Sequence, residues 1–387
     1  MRRAVLAVAA LSLALALGGC NWMKGLGKKD NVEPPTALTE FVPSVSVQRI
    51  WSSSIGNGAG SSGARMNPTV VGDRLYAASV DGQLSALDAA TGRTLWSKRD
   101  KKQAWSGGPA VHGDLLVVGT LDGAVHAFSA SDGSERWHVK VSSEVIAAPA
   151  ITDSVIAVRI QDGRLLGLNP ADGARLWIYE QAVPILSLRG NSSPIAGGGF
   201  IFGGYDSGRV TAVRDVDGAP AWVQTLSTGE GRTEVERLAD VDGTLVLDGN
   251  ELFAVGYRGQ LAALSADSGR SLWTRDLSSY AGVAVGGNAV VSSDAEGNVW
   301  AFDRNTGANL WKQDALLHRW LSAPAIQGDY VVVGDLDGYV HWLSLSDGKL
   351  AARERLGSKA IEGAPLVVGD TLFVEDVGGR IAAWRTR

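Results

Sequence analysis

The stretch DGAVHAFSASDGSERW, residues 122–137, combines two Asp-Gly turns, an alternating apolar segment and a tryptophan. Close copies stand on either side of it, as DGQLSALDAATGRTLW at 81–96 and DGRLLGLNPADGARLW at 162–177. A unit that recurs about every 40 residues is typical of repeat architectures, in which neighbouring units bury a continuous core. The repeat, and not the length of 387 residues, therefore determines the number of domains.

The first turn glycine of this unit occurs eight times. Its positions are Gly82, Gly123, Gly163, Gly208, Gly259, Gly297, Gly338 and Gly379. A small residue follows four positions later in seven copies, and a tryptophan follows fourteen positions later in six. The seventh copy departs from both rules, with Trp342 and Ala352. Six copies also carry a proline fourteen positions before the glycine.

These markers divide each copy into four short strands. In the second copy they predict strands over PAVHGD, opened by Pro109, and over LLVVGT, AVHAFS and ERWHVK. Proline can open a strand because it has no amide hydrogen to donate. Asp-Gly pairs supply the positive φ that two-residue hairpins require. Four antiparallel strands in a unit of this length predict a propeller blade.

The two ends of the chain predict a closed ring. The eighth copy stops at Arg387, before its fourth strand, whereas VSVQRIWSSSIG at 45–56 carries Trp51 at the missing marker position. A ring removes the exposed edges that an open array would have to protect. We therefore predict an all-β protein, with an eight-bladed β-propeller over 45–387 whose N-terminal strand completes the last blade.

The first twenty residues, MRRAVLAVAALSLALALGGC, read as an export signal. They have a basic start, a short apolar stretch, and small residues before the only cysteine of the chain. LGGC resembles the bacterial lipobox, which implies a signal peptide at 1–19 and a lipidated Cys20. The alternative is an ordinary signal with an incidental cysteine. Residue 21 is Asn and not Asp, which in the lipoprotein sorting rule favours the outer membrane, and residues 20–44 read as a lipidated, flexible tether.

Several kinds of chemistry find no support in the sequence. The net charge is -5 and no run of Lys or Arg could follow a phosphate backbone, so nucleic acid is not expected as a partner. The motif from Gly58 to Gly63 has the spacing GxGxxG but lacks the strand-turn-helix context of a phosphate site. No metal site is predicted, because none of the histidines has the spacing of zinc ligands; they are His112, His126, His138, His318 and His341.

Function is expected where the repeat is broken. Two neighbouring connections between blades are long, QAVPILSLRGNSSP at 181–194 and STGEGRTEVERLADVDG at 227–243. Both are predicted on one face of the ring, where an apolar centre bordered by charge would suit a protein contact. In the alternative reading, Ile185, Leu186 and Leu188 only pack the loop onto the ring. The candidate contact residues are Leu186, Leu188, Arg189, Asp240 and Asp242.

The repeat ALDAATGRTLW at 86–96 resembles that of the pyrroloquinoline-quinone (PQQ) dehydrogenases. Together with the lipobox, LSLRGNSSP at 186–194 and RLADVDG at 237–243, it makes the chain resemble the BamB family, the propeller lipoproteins of the outer-membrane β-barrel assembly (BAM) machine. The resemblance implies a non-enzymatic scaffold without a cofactor, facing the periplasm. It also implies that the two loops bind the POTRA region of BamA, and that the other BAM subunits are reached through the complex.

Three further interpretations remain open. A PQQ-dependent dehydrogenase would bring a Ca²⁺ site, a catalytic Asp and often a disulfide of adjacent cysteines, whereas the recurring aspartates here stand at turn positions. Unfolded barrel precursors could also bind blade edges by strand addition. Four tryptophans outside the repeat phase could face a partner or pack in the core; they are Trp105, Trp300, Trp320 and Trp342.

Overall fold

The computed structural model describes residues 33–184, 192–229, 233 and 238–387. Over these ranges the regular structure consists of 32 β-strands. Within the same ranges, no helix has the length and apolar character needed to cross a membrane.

The strands follow one another in sets of four. The first strand in chain order is β1 (Val47–Ser54). Blade 1 comprises β2 (Thr69–Val71), β3 (Arg74–Ala78), β4 (Gln83–Asp88) and β5 (Thr94–Arg99). Blade 2 comprises β6 (Trp105–His112), β7 (Leu115–Thr120), β8 (Ala124–Ser129) and β9 (Glu135–Lys140). Blade 3 comprises β10 (Ala150–Ile151), β11 (Ile156–Arg159), β12 (Arg164–Leu168) and β13 (Arg175–Glu180). Blade 4 comprises β14 (Ile195–Gly197), β15 (Phe200–Tyr205), β16 (Arg209–Arg214) and β17 (Pro220–Thr225).

The second half of the chain repeats the arrangement. Blade 5 comprises β18 (Val246–Asp248), β19 (Glu251–Val255), β20 (Gln260–Ser265) and β21 (Ser271–Asp276). Blade 6 comprises β22 (Val283–Gly286), β23 (Ala289–Ser293), β24 (Val299–Asp303) and β25 (Asn309–Gln313). Blade 7 comprises β26 (Ala325–Gln327), β27 (Tyr330–Gly334), β28 (Tyr339–Ser344) and β29 (Leu350–Arg355). Blade 8 comprises β30 (Leu366–Val368), β31 (Thr371–Glu375) and β32 (Arg380–Thr386), completed by β1.

The ring closes through β1, as the sequence predicts. This strand pairs antiparallel with β32, in a register that runs from Val47 opposite Thr386 to Ser54 opposite Arg380. A separate cluster of buried apolar side chains fills each interface between neighbouring blades, and the one between blades 8 and 1 contains Trp51, Ile381 and Leu75. The predicted eight-bladed propeller of four-stranded antiparallel blades is therefore confirmed.

The marker tryptophans join seven of the eight blades to the next one. Each stands on the fourth strand of its blade and donates its indole N–H to a carbonyl oxygen in the last hairpin of the following blade, over 2.7–3.0 Å. The indole ring of the tryptophan lies against the turn glycine of that hairpin. At Gly218, for example, φ is +68° and a Cβ would approach Trp177 to 2.5 Å, so both the turn and the indole require glycine.

The small residue of the repeat has a partner that the sequence did not reveal. It lies directly opposite the marker tryptophan on the neighbouring strand, as Ala212 does opposite Trp222. In blade 7 the tryptophan stands on the third strand and the small residue on the fourth, with Trp342 opposite Ala352. The following blade has no hairpin between its third and fourth strands, because β32 pairs with β1, so a tryptophan at 352 would have no turn glycine to cover. Trp342 is instead fully buried and donates to Gln327 Oε1 at 2.8 Å.

Two boundaries differ from the sequence expectations. In blade 2 the first strand begins at Trp105, and Pro109 lies within it at a shift in register, so Pro109 does not open that strand. The compact body begins at Thr36, ahead of the expected start at residue 45. The Thr36 amide donates to the carbonyl of Leu317 at 3.0 Å, and the Ser44 amide to that of Ala351 at 2.9 Å.

Replacing one of these tryptophans tests whether they carry the blade-to-blade stability. Trp222→Ala removes a 9% exposed indole and leaves the Ala266 carbonyl without its donor. We expect it to lower the free energy of unfolding by about 3–5 kcal/mol. Trp320→Ala is the control, because Trp320 is 63% exposed and should change stability by less than about 0.5 kcal/mol. Urea denaturation followed by circular dichroism measures both, and equal losses would contradict the assignment.

Candidate functional site

Two long blade-to-blade connections meet on one face of the ring. They run over 181–194, between β13 and β14, and over 226–245, between β17 and β18. Their described ends touch, since Ser192 Oγ donates to the Gly243 carbonyl at 3.1 Å. We call this side of the ring, which carries all the blade-to-blade connections, the loop face.

The candidate contact residues divide into two groups. Leu186, Leu188 and Arg189 lie outside the described residues. Asp240 and Asp242 are described, and both are buried, with 2% and 8% of their surface exposed. The two acids therefore lie in the interior and do not form an exposed charged border.

The segment around Asp240 is fastened to blade 4 and to blade 5. The Val241 amide donates to the Tyr205 carbonyl at 3.2 Å, and the Tyr257 amide donates to the Asp240 carbonyl at 2.7 Å. Ser227, at the other end of the connection, donates its hydroxyl to the Tyr257 carbonyl at 2.9 Å. The described ends of this loop thus have fixed positions on the body.

A buried acidic cluster lies near the point where the described ends of the two connections meet. Asp206, in the hairpin between β15 and β16, joins Asp240 and Asp242, with one carboxylate oxygen of each within 4.8 Å of the others. Arg159 from blade 3 pairs with Asp206 at 3.2 Å, and its guanidinium lies 4.4 Å from the centre of the Tyr205 ring. Asp206 therefore links blades 3 and 4 electrostatically.

A third connection reaches this region from the far side of the ring. Arg65, between β1 and β2, donates to the carbonyl of Asp242 at 3.3 Å and to that of Tyr280 at 3.0 Å. Its charge also favours the ionised form of the Asp242 carboxyl. The sequence motif GxGxxG leads into this connection, and Gly58 packs against Gly379 of blade 8, so the motif has a structural role there.

Burial makes Asp240 and Asp242 weaker acids than ordinary carboxyl groups. Loss of hydration raises the pKa of Asp240 and Asp242, and neighbouring carboxylates raise the pKa of Asp240 further. Three carboxylates could ligate Ca²⁺ or Mg²⁺. Here the positive charge comes from Arg159 and Arg65, so the chemistry of the cluster is that of a structural network.

The tryptophans outside the repeat phase have different surroundings. Trp105 and Trp342 are buried in the core. Trp300 is partly buried, stacks on Phe302 and donates to Asp294 Oδ2 at 2.8 Å. Trp320 is exposed on the loop face, in a backbone conformation with φ +51°.

The turn aspartates behave as their positions predict. Asp122 accepts from Thr120 Oγ1 at 2.5 Å, two residues away. Asp81 accepts from Ser79 Oγ at 2.6 Å in the equivalent hairpin of blade 1. Local hydrogen bonds at hairpins account for these residues.

Comparison with solved structures first gives the class of the protein. The fold matches quinohemoprotein alcohol dehydrogenase from Pseudomonas putida with a TM-score of 0.68 over 88% of this chain and 76% of that one, at 13% identity, which shows the shared fold alone. The crystal structure of BamB from Moraxella catarrhalis matches with a TM-score of 0.81 over 88% of this chain and all of that one, at 29% identity. The class is thus the eight-bladed β-propeller.

Comparison of sequences then gives the family. The family model described as outer membrane protein assembly factor BamB matches residues 48–104, 80–313 and 295–386. The assembly factor BamB of Xanthomonas campestris pv. campestris is 44% identical, covering 96% of this chain and 95% of its own length. The BamB of Pseudomonas aeruginosa is 43% identical over 98% of both chains. The chain belongs to the BamB family, whose members are named as assembly factors and not as enzymes.

The buried cluster predicts a dependence of stability on pH. Above the ordinary carboxyl pKa of about 4, the unfolded chain releases the Asp240 proton while the folded chain retains it, so this group lowers stability as the pH rises. Asp240→Asn supplies a neutral group of similar shape. We expect the variant to be more stable than the parent at neutral pH, with a gain that shrinks as the pH falls toward about 4.

Asp206→Asn is the matched control for this experiment. It removes the charged partner of buried Arg159 and should destabilise the protein by about 3–5 kcal/mol. Urea midpoints measured across the pH range compare the two variants. A gain from Asp240→Asn that does not change with pH would contradict the assigned protonation.

Proposed function

We propose that this chain is a non-enzymatic scaffold subunit of the outer-membrane β-barrel assembly machinery, and that its loop face binds the periplasmic POTRA region of BamA. Membership of the BamB family carries this proposal. The meeting of the 181–194 and 226–245 connections on one face supports the choice of surface.

The docking surface would combine an exposed part with a rigid floor. The sequence PILSLRGN at 184–191 offers two leucines and an arginine, the residue types of an apolar centre with a charged neighbour. The buried segment around Asp240 and Asp242 would hold this surface in position. A platform fixed before binding loses less conformational entropy on association than a flexible one.

The lipid anchor would place this face in the periplasm. The proposed order is a signal peptide at 1–19, lipid on Cys20, and retention at the outer membrane, with the other BAM subunits reached through BamA. Unfolded barrel precursors could add a strand to the outermost strand of a blade, such as β5. Crosslinking from β5 to a precursor would test this binding.

Reversing the charge at Arg189 tests the docking surface. Arg189→Glu should weaken binding to purified BamA POTRA domains by roughly 2 kcal/mol, or about 30-fold, because a contact arginine would then face its partner with the opposite sign. Arg93→Glu is the matched control, since Arg93 lies in the hairpin between β4 and β5, on the opposite face of the ring. Surface plasmon resonance gives both affinities, and equal affinities for the two variants would reject the loop face.

Replacing the cysteine tests the anchor separately. Cys20→Ala leaves the precursor without a thiol to lipidate, so it should appear in the soluble fraction after cell lysis. The parent should remain with the outer membrane on a density gradient. Unchanged membrane association of the variant would show that another feature holds the protein there.

A further inference from the structure

The outer half of blade 2 brings two histidines and a glutamate together. His126 on β8 and His138 on β9 are direct partners in the strand register, so both side chains project from the same face of the sheet. Glu135, three residues before His138, places Oε1 at 2.9 Å from Nδ1 of each ring. The carboxylate therefore stands between the two imidazoles.

These three groups are a ligand set for a divalent transition metal. One nitrogen from each histidine and one Glu135 oxygen all lie within 4.8 Å of one another. A tetrahedral zinc ion, with bonds of 2.0–2.2 Å, needs ligand atoms about 3.4 Å apart. Small side-chain rotations would bring the three groups from their present hydrogen bonds to that separation. Two histidines and a glutamate, with the fourth position left to water, match the open type of zinc site.

The surroundings hold the buried ligand and leave the other two accessible. The His126 side chain is 6% exposed and meets the Trp105 ring edge-on, with centroids 5.1 Å apart. The side chains of Glu135 and His138 are 44% and 64% exposed. A groove of about 530 Å³ between blades 1 and 2 borders all three residues, which gives an ion and its water a path to them.

The other histidine–carboxylate pairs of the described residues lack this arrangement. His112 contacts Asp153 at 2.8 Å on the surface without a second histidine. His341 and Asp335 are fully buried, and Arg319 already occupies the same carboxylate at 2.7 Å. The pair of His112 and Asp153 thus offers only two ligand atoms. In the pair of His341 and Asp335, the Arg319 guanidinium already supplies the positive charge beside the carboxylate.

We propose that His126, Glu135 and His138 bind one zinc ion, which joins β8 and β9 at the outer side of blade 2. The site lies on strands of blade 2, away from the proposed docking loops that flank blade 4, so it does not depend on the proposed function.

Zinc titration of the whole protein tests the site. The untagged, lipidated chain is purified in detergent, stripped with a chelator, exchanged into a non-coordinating buffer near neutral pH, and titrated with zinc chloride by calorimetry. We expect one saturable ion per chain. X-ray absorption of the loaded protein should show two imidazole nitrogens, with zinc–nitrogen distances of about 2.0–2.1 Å.

Variants at the two exposed ligands make the test specific. His138→Gln and Glu135→Gln should each weaken zinc binding by at least about tenfold. Losing a residue that only supports a metal ligand already weakens binding by about 10–100-fold, and these two residues are proposed as ligands themselves. His112→Gln is the matched control and should bind as the parent does, and circular dichroism checks that all variants are folded. The proposal is overturned if the parent shows no saturable zinc binding, which would leave the three groups as a hydrogen-bonded triad. It is equally overturned if His138→Gln binds zinc with unchanged affinity.

Discussion

The ring depends on one repeated contact, in which a tryptophan on the fourth strand of one blade packs on the turn glycine of the next blade. Burial of the indole supplies apolar stabilisation, and its N–H fixes the direction in which the next blade is placed. Seven interfaces use this contact. At the eighth interface the tryptophan is Trp342, which stands on the third strand and donates its indole N–H to Gln327 Oε1. The Gln327 amide in turn donates to the Trp384 carbonyl at 3.3 Å.

This contact restricts the hairpins on one face of the ring but not the connections on the other face. The hairpins that receive the tryptophans must keep their length and their glycine, because the indole leaves no room for a Cβ. The connections at the opposite ends of the fourth strands carry no such restriction. Long and irregular segments can therefore be placed on the loop face without disturbing blade packing. The geometry of the scaffold itself explains why the two long connections, between β13 and β14 and between β17 and β18, occur there.

The sequence was sufficient for the features that repeat along the chain. Turn glycines and marker tryptophans recur in phase, so the blade number, the strand pattern and the closing strand could be read from spacing. Features that depend on contact between strands could not be read in this way. His126 and His138 are twelve residues apart, with no spacing typical of a metal site, yet the register of β8 and β9 makes them neighbours. The burial of Asp240 and Asp242 likewise follows from contacts with Tyr205 and Arg65, which are distant in sequence.

Polar contacts organise the loop face where the tryptophans do not reach. Arg159 joins blade 3 to Asp206 of blade 4, and Arg65 reaches from the connection into blade 1 to that into blade 5. Arg319 similarly pairs with Asp335 at 2.7 Å and donates to the Thr36 carbonyl at 3.0 Å. Buried charges of this kind add less stability than apolar packing, but their directional bonds select one arrangement of irregular backbone. These arginines therefore give the irregular backbone of the loop face its form.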